Sequence, residues 1–294
     1  MREEIASLRD AMEREAYVTD RATATAAYLA MTLRKPLLIE GHPGVGKTEV
    51  AKVLANALDT ELIRLQCYEG LDVNTALYEW NYAKQLLHIK LQEGTAASTR
   101  EREAEIFSRE FLLERPLLRA ITRPDAPPVL LVDEVDRSDE EFEAFLLEVL
   151  SDHQVTIPEI GTIRATHPPH VVLTSNRNRE LSEALRRRCL YLWVEYPSFD
   201  KELRIVRGKV PAIEARLADE VVRFVQRVRA RKLSKTPGVA ESLDWAQALV
   251  ALGADALRDD VVDETLGCVL KDESDIRDVR AAIAEHGLSA LLGS

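Results

Sequence analysis

Gly41-His42-Pro43-Gly44-Val45-Gly46-Lys47-Thr48 sets three glycines, a lysine and a threonine at the spacing G-x-x-x-x-G-K-[ST]. That spacing suits the capture of phosphate. The glycines permit a tight turn whose N–H groups point inward, Lys47 reaches for the β- and γ-phosphates of a nucleoside triphosphate, and Thr48 places a hydroxyl on Mg²⁺. A second pair, Asp133-Glu134, ends the apolar run Val129-Leu130-Leu131-Val132. Asp133 is placed to hold Mg²⁺ through water, and Glu134 to orient and deprotonate an attacking water. Asn176 ends another apolar run, Val171-Val172-Leu173-Thr174-Ser175. It either hydrogen-bonds the γ-phosphate or the lytic water, or serves as a simple turn residue. Arg186-Arg187-Arg188 is either a solvated basic cap on a helix C-terminus or the source of an arginine finger for a neighbouring subunit's γ-phosphate.

Apolar stretches around these groups fix where they must stand. Pro36-Leu37-Leu38-Ile39-Glu40 reads as a buried parallel strand, and residues 48–58 repeat apolar side chains at helical spacing, so the glycine loop joins strand to helix and draws on the helix N-terminus for anion binding. Glu49 opens that helix, and with residues 41–48 completes the candidate nucleotide-binding set. Tyr17 and Val18, upstream of the strand, either flank a purine or simply fill space.

Residues 61–67 predict a second strand, and the carboxylates follow a strand buried on both faces, at the end where open α/β sheets keep their ligands. Ser138-Asp139-Glu140-Glu141 opens a helix. Residues 154–158 and 161–165 predict a compact hairpin. The alternating aromatics Tyr78, Trp80 and Tyr82 suit a short strand or hairpin, facing either the core or a partner. Residues 92–105 turn polar, as in a surface segment or linker, and residues 111–121 return to helical periodicity with a break expected at Pro116. Beyond residue 197 every segment has helical spacing, which predicts a small α-helical second domain.

The balance of 50 acidic against 39 basic residues, net −11, argues against wholesale coating of nucleic acid. Cys67, Cys189 and Cys268 are odd in number and widely spaced, so neither a disulfide framework nor a zinc site is expected. The first residues lack the apolar core of a signal peptide and no run approaches membrane-helix length, which places the expected home in the cytoplasm, with no membrane insertion.

The glycine loop, the 129–134 strand, Asn176, the arginine triplet and a helical C-terminal region, in this order, resemble an AAA+ ATPase over nearly the full length. The 154–165 hairpin and an insert after the second strand resemble the helix-2-insert clade. Phe145-Leu146-Leu147-Glu148-Val149-Leu150 followed by Gln154-Val155-Thr156 is similar to the MoxR family. Leu65-Gln66-Cys67-Tyr68-Glu69-Gly70, Tyr78-Glu79-Trp80-Asn81-Tyr82 and Arg186-Arg187-Arg188-Cys189-Leu190-Tyr191 resemble its CoxD-like branch, which assists maturation of molybdenum–copper carbon monoxide dehydrogenase.

The resemblance implies an α/β fold: a P-loop AAA+ core with a parallel sheet over residues 1–197, carrying an insert at about 71–115, and a smaller all-α lid over residues 198–294. It implies ATP and Mg²⁺ as cofactors, Lys47 and Thr48 as Walker A, Asp133 and Glu134 as Walker B, Asn176 as sensor 1, and Arg188, or alternatively Arg187, as the finger. It implies a homo-oligomeric, hexameric ring, a von Willebrand factor A domain adaptor and a client metalloenzyme. A nucleotide-gated switch for such an adaptor is the alternative, and a DNA-linked motor a third. One departure stands out: Gly238-Val239-Ala240-Glu241-Ser242-Leu243-Asp244-Trp245 lacks the arginine expected of sensor 2.

Overall fold

The computed structural model describes residues 2–92 and 99–292. They divide into two compact units, one within residues 2–8, 21–40 and 50–193, the other within 9–20, 41–49 and 194–292. Helices α1 (Arg2–Arg14) and α2 (Arg21–Leu33) precede β1 (Leu37–Gly41) and α3 (Lys47–Ala57). Next come β2 (Leu62–Gln66), α4 (Val73–Leu77), β3 (Tyr78–Trp80), α5 (Tyr82–Leu91), α6 (Thr99–Ile106), β4 (Leu112–Glu114) and α7 (Pro116–Thr122). Strand β5 (Val129–Asp133), α8 (Glu140–Asp152), β6 (Gln154–Ile157), β7 (Gly161–Arg164), β8 (His170–Ser175), α9 (Glu183–Arg188) and β9 (Leu190–Val194) follow.

Five strands in the order β2-β5-β8-β1-β9 make the central sheet. Pairing of β2 with β5, β5 with β8 and β8 with β1 is parallel, in registers that set Gln66 opposite Asp133 and Glu40 opposite Ser175. Every residue of β1 and β5 is buried, the mark of strands covered on both faces. The predicted 154–165 hairpin forms as β6 and β7, with Val155 opposite Ile163.

The insert corrects two expectations. Residues 111–114 are not α-helical: Phe111 ends a 3-10 turn, and Leu112 to Glu114 pair antiparallel with Tyr78 to Trp80. Phe111 and Leu112 are buried at the junction of turn and strand, while Leu113 is exposed. Pro116 does not break a helix but starts α7 at the position where a missing N–H costs nothing. Of the segment read as a polar linker, residues 93–98 lie outside the described residues, while Thr99–Ile106 forms α6.

Trp80 is buried edge-to-face on Phe107, centroids 5.2 Å apart, so the aromatic alternation mainly serves the core. Among the described residues a group of exposed apolar side chains lies instead on α5, which is inverted. Gln85 is buried and donates to the Ile106 carbonyl at 2.6 Å, and His88 turns toward Phe111 and Glu105. Tyr82, Leu86, Leu87, Ile89 and Leu91 face outward.

The second unit holds α10 (Phe199–Lys209), α11 (Ala215–Arg229), α12 (Val239–Ala251), α13 (Asp259–Val269), α14 (Glu273–His286) and α15 (Ser289–Leu292). Its core gathers Val221, Phe224, Val228, Trp245, Leu249 and Leu266. Inside it Glu202, fully buried, accepts from both Arg229 Nη groups at 2.8 Å, from Ser242 Oγ at 2.6 Å and from Gln226 Nε2 at 2.6 Å. Truncating one member of a buried ion pair strands the other charge. Arg229→Ala is therefore expected to cost about 3–5 kcal/mol in urea unfolding, against about 1 kcal/mol for Ser242→Ala, which removes one hydrogen bond of several.

Candidate functional site

The glycine loop belongs to the helical unit. Gly44 sits at φ +74° and Gly46 at +92°, backbone values that side-chain-bearing residues rarely adopt, so the turn needs glycine at both places. Lys47 is buried, its ammonium donating to the carbonyls of Gly41 at 2.9 Å and His42 at 2.8 Å. Thr48 and Glu49 stand in the first turn of α3, and Glu49 pairs with Lys209 of α10 at 2.9 Å. His42 stacks on Tyr196 with centroids 4.6 Å apart and planes within 9°. Tyr196 in turn lies under the Arg229 guanidinium, 4.8 Å from its ring centre.

Where the sensor 2 arginine was missed, α12 meets the loop through its backbone. The N–H groups of Val239 and Ala240 donate to the Gly44 carbonyl at 2.9 and 3.2 Å. A Cβ on Gly238 would lie 2.8 Å from the Gly44 Cα and the Pro43 carbonyl oxygen, so the approach depends on the absent side chain. Tyr17 and Val18 are half-buried in this unit. Burial, then the carboxylates of Asp20 and Glu49, hold the Tyr17 phenol well above its ordinary value, so it stays protonated.

The carboxylate group belongs to the sheet unit, at the C-terminal ends of β5 and β8. Asp133 is buried: its Oδ1 accepts from Thr174 Oγ1 at 2.5 Å, and its Oδ2 accepts from Arg64 Nε at 3.0 Å and Nη2 at 2.6 Å. Thr174 also accepts the Glu134 N–H at 2.9 Å, so one hydroxyl orders both acids. Glu134 itself is left-handed, φ 54° and ψ 49°, which turns its side chain off the strand end.

Three donors hold the Glu134 carboxylate: Asn176 Nδ2 at 3.2 Å on Oε1, and Gln66 Nε2 and Arg137 Nη1, both at 3.1 Å, on Oε2. Asn176 is fixed from below, its N–H shared by both oxygens of buried Asp136 at 3.2 Å, while Asp136 also accepts from the Asn178 N–H at 2.8 Å. Beneath the acids Cys67 is buried, and burial, reinforced by Asp133, Asp136 and Glu134, pushes its thiol up to about 12. It is no nucleophile.

Arginine 188 stands at the other end of this sheet. Buried Glu143 of α8 pairs with Arg179 and accepts the Ser182 N–H at 2.8 Å, which seats α9. Leu190 N–H then donates to the Pro36 carbonyl at 2.8 Å, so β9 begins beside the start of β1. Arg188 lines a cavity there, about 230 Å³, with Arg34, Lys35, Leu147 and Arg187, and donates weakly to the Leu147 carbonyl at 3.4 Å. Arg187 is exposed and paired with Glu183. A five-residue strand spans about 16 Å, so Arg188 and the carboxylates of its own sheet are kept apart.

Of the predicted residues, the structure brings Asp133, Glu134 and Asn176 into one hydrogen-bonded group and holds Lys47 within its own loop. Arg64, Gln66, Thr174 and Asp136 escaped the sequence reading. The first two had a partial signal, two polar side chains on one face near the C-terminal end of a predicted strand, but not which strand lies beside it. In the sheet unit the buried Asp133 carboxylate is a hard oxygen ligand of the kind Mg²⁺ takes. Among the described residues no three His, Cys, Asp or Glu converge, so a cation would depend on phosphate and water as well, as Mg²⁺ commonly does.

The family model described as AAA domain (dynein-related subfamily) matches residues 36–189. The uncharacterized protein SH1500 of Staphylococcus haemolyticus is 23% identical over 240 residues, covering 80% of this chain and 82% of that one. An uncharacterized Staphylococcus aureus protein is 24% identical over 226 residues, covering 75% and 77%. Among solved structures, a point mutant of Thermotoga maritima RuvB superposes with TM-score 0.51 at 20% identity over 95% of this chain and 83% of the other. That likeness bears on the fold.

Proposed function

Because the chain belongs to the AAA domain family, dynein-related subfamily, we propose that it hydrolyses ATP with Mg²⁺ in a homo-oligomeric ring, hexameric in the reading favoured here. In this reading residues 41–49 cradle the nucleotide, Lys47 binds its phosphates, and Thr48 and Asp133 hold Mg²⁺. Glu134 and Asn176 position and activate water. The observation that carries the ring is the separation within the sheet unit: Arg188 lines the N-terminal edge beside Pro36, whereas Glu134 and Asn176 meet at the C-terminal edge. A finger so placed serves a neighbour's nucleotide.

Turnover remodels a client metalloenzyme, with maturation of molybdenum–copper carbon monoxide dehydrogenase as the specific reading and a von Willebrand factor A domain protein as adaptor. The phrases shared with the CoxD-like branch support it. The outward apolar side chains of α5 supply the contact surface, a role better suited to them than to buried Trp80. The net charge of −11 speaks against transferring a DNA role from RuvB.

The test is the ATPase rate per subunit against protein concentration. The rate should rise as subunits assemble, and a rate that stays flat from monomeric dilution upward sinks the shared site. Recovery of a client and adaptor from the native cell with ATP-trapped Glu134→Gln protein tests the remainder.

A further inference from the structure

The Asp133 carboxylate, read above as a support for Mg²⁺, is already gripped by a cation of the chain itself. Two N–H groups of Arg64 converge on Oδ2, at 3.0 and 2.6 Å, while Thr174 takes Oδ1 at 2.5 Å. Both carboxylate oxygens thus accept strong hydrogen bonds. Three of the carboxylate's roughly four acceptor positions are taken by these bonds, so water on a bound Mg²⁺ would compete with Arg64 for Oδ2, and the guanidinium charge would repel the ion.

The two grips differ in what can release them. Thr174 lies fully buried on the central strand β8, and its hydroxyl also orders the Glu134 N–H, so it stays. Arg64 lies on β2 at the edge of the sheet with about half of its side chain exposed (49%), so the guanidinium can swing into water. We propose that Arg64 is a gate on the cation site: it neutralises Asp133 while the site lacks Mg²⁺–nucleotide and must be displaced for the cation to bind. This deepens the ATPase reading and rests on it.

The gate has a second hinge. Arg64 Nη2 also donates to Gln66 Oε1, and Gln66 Nε2 donates to Glu134 Oε2 at 3.1 Å. Displacing the guanidinium takes from Gln66 the group that orients its amide. Arg64 is accordingly a positioning residue, acting on the acids and not on substrate.

The sign of one measurement separates a gate from a prop. Binding of a fluorescent ADP analogue is followed against Mg²⁺, and Mn²⁺ uptake in the presence of ADP by EPR, for the unaltered chain, Arg64→Ala and Arg64→Lys. A gate predicts that Arg64→Ala lowers the Mg²⁺ and Mn²⁺ midpoints about tenfold, the weight of one charge-assisted hydrogen bond. Arg64→Lys, which keeps the charge and loses the two-pronged grip, should fall between, and binding in EDTA should not change.

Higher or unaltered midpoints in Arg64→Ala overturn the gate and leave Arg64 as a structural partner of Asp133. If Arg64→Ala unfolds, Arg64→Lys carries the same comparison, and a midpoint equal to or above that of the unaltered chain overturns the gate. Should the unaltered chain bind no nucleotide at all, the ATPase reading fails with it, whereas nucleotide binding with an unmoved midpoint sinks the gate alone.

Discussion

Glu134→Gln is expected to lower ATP turnover by about 10²–10⁴-fold, the usual contribution of a positioned general base, while nucleotide binding persists. The geometry supports the split. Glu134 is aimed by its own left-handed backbone and held by three donors from three places: Gln66 on β2, Asn176 after β8, and Arg137 in the following turn. Glutamine has the same shape, so the surroundings remain in place, and Lys47 and the loop are untouched. What disappears is a lone pair basic enough to take a proton from water.

Phosphate release in steady state measures the loss, and a fluorescent nucleotide titration should give a dissociation constant within about threefold of the unaltered chain. Asn176→Ala should be milder, since it removes one of the three donors to Glu134 and leaves the base itself. A Glu134→Gln protein with more than a tenth of normal turnover would place the base elsewhere.

The sheet and the two motif-bearing strand ends were legible because their signals are local. A run of four apolar residues that ends in Asp-Glu is a buried strand tip whichever fold surrounds it, and β5 formed where it was read. The helices of the second unit likewise follow from 3.6-residue spacing alone.

What stayed hidden depends on register. Gln66 meets Glu134 because β2 pairs with β5 so that Gln66 falls opposite Asp133, and no spacing in the sequence specifies that pairing. Thr174 is similar, a threonine within an apolar strand whose hydroxyl has meaning only beside Asp133. The outward face of α5 was hidden for a different reason. Its apolar residues face out and Gln85 faces in, so the usual inference from pattern to buried face gives the wrong side.

Arg188→Ala should abolish most turnover, by about 10³-fold or more, as expected where an arginine acts in trans on a transferred phosphoryl group. Nucleotide binding should be retained, because the residue stands at the edge of its sheet remote from Asp133 and Glu134. The sharper expectation concerns mixtures. An Arg188→Ala subunit has an intact Glu134 but cannot serve its neighbour, and a Glu134→Gln subunit has the opposite defect. In a head-to-tail ring a site works when its own subunit keeps Glu134 and the adjacent one keeps Arg188. Equal mixing of two nearly inactive proteins should therefore restore about a quarter of normal activity, each condition being met half of the time. Arg187→Ala should lose far less, since Arg187 is exposed and already paired with Glu183 on its own helix turn. If the mixture recovers nothing, Arg188 does not act across a subunit boundary. If Arg187→Ala rather than Arg188→Ala shows the loss and the rescue, the finger is the neighbouring arginine, and the shared site stands with a different donor.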